Sequence, residues 1–198
     1  MSSQTFGTES FVVLGLIVAV PFVVWGSWRG HVGWLSALVR LAFALYVVVL
    51  LGLLFTPFPL PPWTPLPEGS LAGFRPWPYP WASIVPTYTI RGALRLGLDG
   101  QSGRVLLGNV LAFVPFGLFL PMVWPRSRSL IGIVAAALAI SLTIELGQLA
   151  LSLLIRYPYR AADIDDVLLN VLGVTLGYAV FRAVTALLPG GRSRQPAP

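Results

Sequence analysis

Five stretches of the chain carry apolar residues almost without interruption: Phe11 to Trp28, Val32 to Thr56, Val105 to Trp124, Ser129 to Ile155 and Val167 to Leu188. At about 1.5 Å of rise per residue, each is long enough to cross a hydrocarbon layer of roughly 30 Å as a helix. Lipid offers no hydrogen-bond partners, so a backbone crossing it must pair within itself, and continuous rather than alternating apolarity selects the helix over the barrel strand. The expected fold is an all-α integral membrane protein, a bundle of about five transmembrane helices. Between the second and third stretches the pattern breaks. FPLPPWTPLPEG and FRPWPYPWASIVP hold too much proline for the interior of a helix or sheet and are expected to run extended. YTIRGALRLGL then restores helical spacing through Ile90, Leu94 and Leu98, with Arg91 and Arg95 beside them, and predicts a short helix lying in the membrane interface. The organisation that follows is two N-terminal helices in residues 1–56, a proline- and aromatic-rich extracytoplasmic loop in 57–104, a three-helix core in 105–188 and a disordered cytoplasmic tail in 189–198.

Polar residues inside the apolar stretches carry the next layer of information, because each is costly in lipid. Asn109 falls near the start of the third. On the fourth, Ser141, Glu145, Gln148 and Ser152 follow one another at steps of four, three and four, which places them on one helix face that cannot look at lipid. Asp166, Asn170, Gly173 and Gly177 repeat the spacing on the fifth, with small residues suited to close helix approach, so the two stripes are expected to face each other. A bare carboxylate at Glu145, roughly 15 Å below the end of its helix, must be held neutral, paired, or reached by water through a cleft. Arg40 comes to a similar depth on the second stretch, as a partner for Glu145 or as a side chain reaching to the nearer surface.

Just before the last stretch, RYPYRAADIDDVLLN gathers Arg156, Arg160, Asp163, Asp165 and Asp166. Carboxylates suit a helix N-terminus, where free N–H groups and the positive end of the dipole await them. Capping accounts for one or two of the aspartates. The third leaves two readings open: arginines that neutralise the acids and pin the loop, or arginines that grip phosphate beside Asp163, Asp165 and Asp166 holding a divalent cation through oxygen. A Ser–His–Asp triad is disfavoured, because the single histidine, His31, falls at the other surface.

Composition agrees with a membrane protein. The chain of 198 residues is 56% hydrophobic and 10% charged. Thirteen arginines stand against seven acids, an excess that orients loops rather than marking a nucleic-acid binder. Arg29, Arg126, Arg128, Arg192 and Arg194, in short turns or the tail without acids, point to a cytoplasmic C-terminus and, with five crossings, an N-terminus outside. Trp25, Trp28, Trp34 and Trp124 then form an inner aromatic belt. The first stretch lacks a basic leader and a small-residue cleavage site and is expected to stay as an anchor. Cysteine is absent from the sequence, which excludes thiolate chemistry.

Taken together, GNVLAFVPFGLFLP (Gly108 to Pro121), SLTIELGQ (Ser141 to Gln148), the run from Arg156 through DIDDVLLN to GVTLGY, and WASIVPTYTIRG (Trp81 to Gly92) resemble the VanZ-like family of small bacterial membrane proteins. The resemblance covers about residues 80 to 180. It implies a multipass envelope protein related to one that raises resistance to the lipoglycopeptide teicoplanin. Carried over by motif, the characteristic polar positions are Asn109, Glu145, Gln148, Arg156, Asp163, Asp165, Asp166 and Asn170. The insert YPYRAA leaves the family arginine open between Arg156 and Arg160. Three functions follow as expectations. The first is a non-enzymatic protein whose outward polar cleft binds a lipid-linked cell-wall intermediate or a lipoglycopeptide. The second is a metal-dependent enzyme acting on a lipid phosphate or pyrophosphate, with Glu145 as base and Asp165 among the metal ligands. The third is a structural or transporter-like role, for which a homo-oligomer would supply the second half that five spans lack.

Overall fold

The computed structural model describes residues 5–30, 33–56, 58–59, 82–83, 86–155 and 160–187. Helix α1 covers Thr8–Arg29, α2 Trp34–Phe55, α3 Tyr88–Leu96, α4 Gln101–Val123, α5 Leu130–Leu154 and α6 Ile164–Leu187. Five of the six, all but α3, are long and apolar enough to cross a membrane. They coincide with the five stretches read from the sequence, shifted by a few residues at their ends. The short α3 forms where YTIRGALRL predicted a helix. Its Ala93 packs inward while Leu94 and both arginines are exposed. Most of the proline-rich segment and the tail lie outside the described residues, as do Arg156 and His31.

Short connections alternate the direction of the helices and give the bundle two unlike ends. At the turn end, Gly30 closes α1 and a single 3₁₀ turn, Pro125–Arg128, joins α4 to α5. Ser129 caps α5 there by accepting the Gly132 N–H through its hydroxyl at 3.0 Å. At the loop end, two pairs of two-residue strands tie down the long connection. Strands β1 (Thr5–Phe6) and β2 (Phe58–Pro59) pair antiparallel, and β3 (Ala82–Ser83) pairs parallel with β4 (Ala162–Asp163).

Helices α4 and α6 make the most extensive contact of the fold. Their backbones meet at glycine: a Cβ on Gly117 would run into the carbonyl oxygen of Val174, and one on Gly173 or Gly177 into those of Val110 or Val114. Helix α5 covers another face of α6, while α2 reaches the core through Phe43, Tyr46 and Leu50. Phe43 lies 5.4 Å from Phe116 between ring centroids, and the Tyr46 hydroxyl donates to the carbonyl of Ala112. Helix α1 packs mainly on α2 and leaves Ile17, Val18 and Trp28 largely exposed, a surface suited to lipid rather than water.

Candidate functional site

The polar face predicted on α5 is buried throughout. Ser141 and Ser152 have no exposed surface, and Glu145 and Gln148 are buried with them. Of these, Ser152 and Glu145 are met by backbone rather than by side chains. Residues Arg160 to Asp163 descend beside α5 from Ser152 to Glu145, a drop of about 10 Å. The Ser152 hydroxyl accepts from the Arg160 N–H at 3.2 Å and donates to the Arg160 carbonyl at 2.9 Å. At the bottom, the N–H of Asp163 donates to Oε2 of Glu145 at 2.8 Å. Helix α6 therefore starts deep within the bundle, and the Glu145 carboxylate is met there by a backbone donor just before the helix N-terminus.

The three aspartates then take separate partners. Asp163 immediately precedes α6 and accepts the N–H of Asp165 at 3.0 Å through Oδ1, a cap of the kind the sequence anticipated. Asp165 is fully buried, and its carboxylate accepts the backbone N–H of Thr87. Thr87 holds the left-handed conformation, φ 71°, at the entry to α3. Asp166 accepts from the side-chain amide of Asn109 on α4. One turn further along α6, Asn170 donates to Ser141 at 2.9 Å, and its Oδ1 is buried with no partner among the described residues.

The remaining polar groups close the end of α2, whose last carbonyls have no partners within the helix. Gln148 donates to the Leu54 carbonyl at 2.9 Å. The Arg160 guanidinium donates to the Thr56 carbonyl at 3.1 Å and the Leu53 carbonyl at 3.4 Å, where a cation also complements the helix dipole. Thr56 is itself buried and its hydroxyl pairs with that of Thr8. Hence α1, α2, α4, α5, α6 and the β3–β4 pair all contribute to one polar junction.

Of the residues singled out in the sequence, Asn109, Glu145, Gln148, Arg160, Asp163, Asp165, Asp166 and Asn170 meet at this junction. Three expectations change. Glu145 and Arg40 do not form a clasp: Arg40 lines a cleft at the turn end with Arg128 and Arg182, while Glu145 is met by the Asp163 N–H. The stripe on α6 does not face α5 as a whole, since Gly173 and Gly177 turn to α4 and only Asn170 reaches Ser141. A divalent cation does not fit as expected either. Among the described residues no three acidic or histidine side chains gather to hold a metal, because Asp163, Asp165 and Asp166 diverge to the cap, to Thr87 and to Asn109.

Thr87, Thr56 and the pair Ala82–Ser83 are members of the junction that sequence reasoning missed. The signal for Thr56 was present, a polar residue at the boundary between an apolar stretch and prolines. Thr87 and Ala82–Ser83 act through backbone groups, which leave no mark on side-chain patterning.

No curated protein and no solved structure matches the chain. The family model described as VanZ/LLP1 matches residues 43–186, from the middle of α2 to the end of α6. That range holds every polar group of the junction except Thr8. With five helices able to span a membrane and a family match over most of its length, the chain is a multipass membrane protein belonging to the VanZ/LLP1 family.

Proposed function

We propose that this protein binds an amphiphile, a lipid-linked cell-wall intermediate or a lipoglycopeptide, at the polar junction, and so alters susceptibility to teicoplanin-type glycopeptides. The junction faces away from the cytosol in this reading, with the N-terminus outside and the C-terminus inside. The observation that carries it is the descent of Arg160 to Asp163 to Glu145. A chain seeking stability alone has no need to lower a loop into the bundle beside a buried acid. Polar groups at that depth are expensive and mark function far more often than framework.

Chemistry supports the same reading. Four carboxylates, Glu145, Asp163, Asp165 and Asp166, belong to the junction, the charge of Arg160 acts on Glu145 and Asp166, and each carboxylate oxygen can accept more than one hydrogen bond. Such a site favours hydroxyl-, amide- and amine-bearing groups, the sugar and peptide portions of a wall precursor or glycopeptide. Lipid-facing helices stand beside it for the acyl chain. The long connection is anchored at both ends on this side of the bundle, by β2 and β3, and its proline- and aromatic-rich composition suits cover over sugar rings.

The test is a susceptibility panel across cell-wall inhibitors in a sensitive host expressing the protein, with binding of a fluorescent lipoglycopeptide and of lipid-linked precursors to purified protein alongside. Reduced susceptibility to teicoplanin-type drugs, lost together in Glu145→Ala and Asp165→Asn, is the expected outcome. Unchanged susceptibility with no binding of either ligand refutes the proposal.

A further inference from the structure

At the turn end, opposite the junction, a cavity of about 660 Å³ opens between the first turns of α2 and the last turns of α4 and α6. Arg40, Arg128 and Arg182 line it together with the apolar Val39, Met122 and Phe181. Three cations from three separate parts of the chain thus share one recess. Several cations around one recess attract an anion more strongly than a single one does.

Among the described residues no acid lines the recess. The described acids, Glu9, Asp99, Glu145, Asp163, Asp165 and Asp166, belong to the half of the bundle toward the loop end. Two of the arginines are nevertheless held in place. The Tyr178 hydroxyl donates to the Arg128 carbonyl and accepts from the Arg182 guanidinium at 3.1 Å, while the Arg128 Nε–H donates to the Pro121 carbonyl at 3.1 Å. These bonds fix the recess and, among the described residues, leave guanidinium N–H groups for a ligand. Arginine presents five such donors in a fork that fits phosphate oxygens.

Position identifies the anion. Trp34 stands beside the cleft-lining residues of α2, and Trp124 closes the C-terminal end of α4 two residues from Met122; both are exposed, as are Trp25 and Trp28 at the same end of α1. Exposed tryptophans gathered at one end of a spanning bundle mark the headgroup level of the bilayer. A recess at that level, lined by three arginines and by the apolar Val39, Met122 and Phe181, matches a molecule with a phosphate head and an acyl tail. Its volume falls within the range of sites that take small ligands.

We infer that the Arg40–Arg128–Arg182 cleft is a binding site for one anionic phospholipid of the adjacent leaflet, its headgroup phosphate held by the arginines and an acyl chain lying along the apolar wall. This site is separate from the polar junction and does not depend on the function proposed for it.

Native mass spectrometry of the full chain, purified in detergent and titrated with phosphatidylglycerol or phosphatidylcholine, tests the assignment. Phosphatidylglycerol is expected to bind at about tenfold lower concentration. The double variant Arg40→Gln/Arg182→Gln should erase that preference, while Arg91→Gln/Arg95→Gln, which removes two exposed charges at the loop end, should leave it intact. Ser36→Trp fills the cleft without touching an arginine and should abolish tight binding even though all the charges remain, which decides the matter if the arginine variant misfolds. Millimolar inorganic phosphate should not displace the lipid. Equal binding of the two lipids, an unchanged preference in Ser36→Trp, or displacement by free phosphate would each overturn the inference.

Discussion

The backbone N–H of Asp163 reaches the Glu145 carboxylate at 2.8 Å, joining a loop residue to a side chain nine positions inside the end of α5. Glu145 is thus hydrogen-bonded by a peptide group, with the charge of Arg160 acting on it from farther away. An amide oxygen can accept that bond as well as a carboxylate, whereas alanine leaves a buried donor unpaired. Glu145→Gln should therefore melt close to the parent protein in detergent, and Glu145→Ala should lose about 1–3 kcal/mol. Equal losses in both variants would show that the charge, not the acceptor, holds the loop.

At the crossing of α4 and α6, Gly177→Ala must push its methyl against the Val114 carbonyl, and Gly173→Ala against that of Val110. Each should destabilise the bundle by about 1–3 kcal/mol through overpacking. Gly108→Ala is the matched control. Nothing lies within 4 Å of a Cβ at Gly108, so alanine there should be neutral or slightly stabilising by helix propensity. Thermal melts of the three variants decide.

The end of α2 depends on side chains from elsewhere in the chain. Arg160→Ala removes the donors to Leu53 and Thr56, and Gln148→Met removes the donor to Leu54. Faster amide hydrogen exchange should appear in the last turn of α2 in both variants and not in its first turn. Uniform acceleration along α2 would point to general unfolding instead.

Ser141 and Asn170 form a buried hydrogen bond between α5 and α6 at 2.9 Å. A double-mutant cycle with Ser141→Ala and Asn170→Ala should give a coupling of about 0.6 kcal/mol, the scale of such bonds between membrane helices. A coupling indistinguishable from zero would exclude the pair as a contributor to stability.

The absence of cysteine makes the orientation directly testable. Single cysteines at Asp99, in the turn before α4, and at Arg126, in the 3₁₀ turn, lie at opposite ends of the bundle. A membrane-impermeant thiol reagent applied to intact cells should label Asp99→Cys and spare Arg126→Cys. The reverse pattern would turn the polar junction toward the cytosol and remove the proposed access of wall intermediates and drugs.

Sequence alone determined the five spanning helices, because twenty-odd apolar residues in a row admit few other solutions in lipid. It also determined which side of α5 is buried, since the steps joining Ser141, Glu145, Gln148 and Ser152 put all four on one face whatever covers it. That one or two of the three aspartates cap α6 was legible by a local rule that needs no neighbour, and the structure gives the role to Asp163. The tertiary structure decided what meets each of these groups. Pattern suggested Arg40 as the answer to Glu145, yet Arg40 lies at the other end of the bundle and a peptide N–H takes the role. It likewise divided α6, sending Asn170 toward α5 and the glycines toward α4. Side-chain periodicity records how much of a helix must leave lipid, but every residue except proline carries the same backbone N–H and C=O. Where a connecting segment descends, and which of those identical groups it delivers, is settled only when the helices pack.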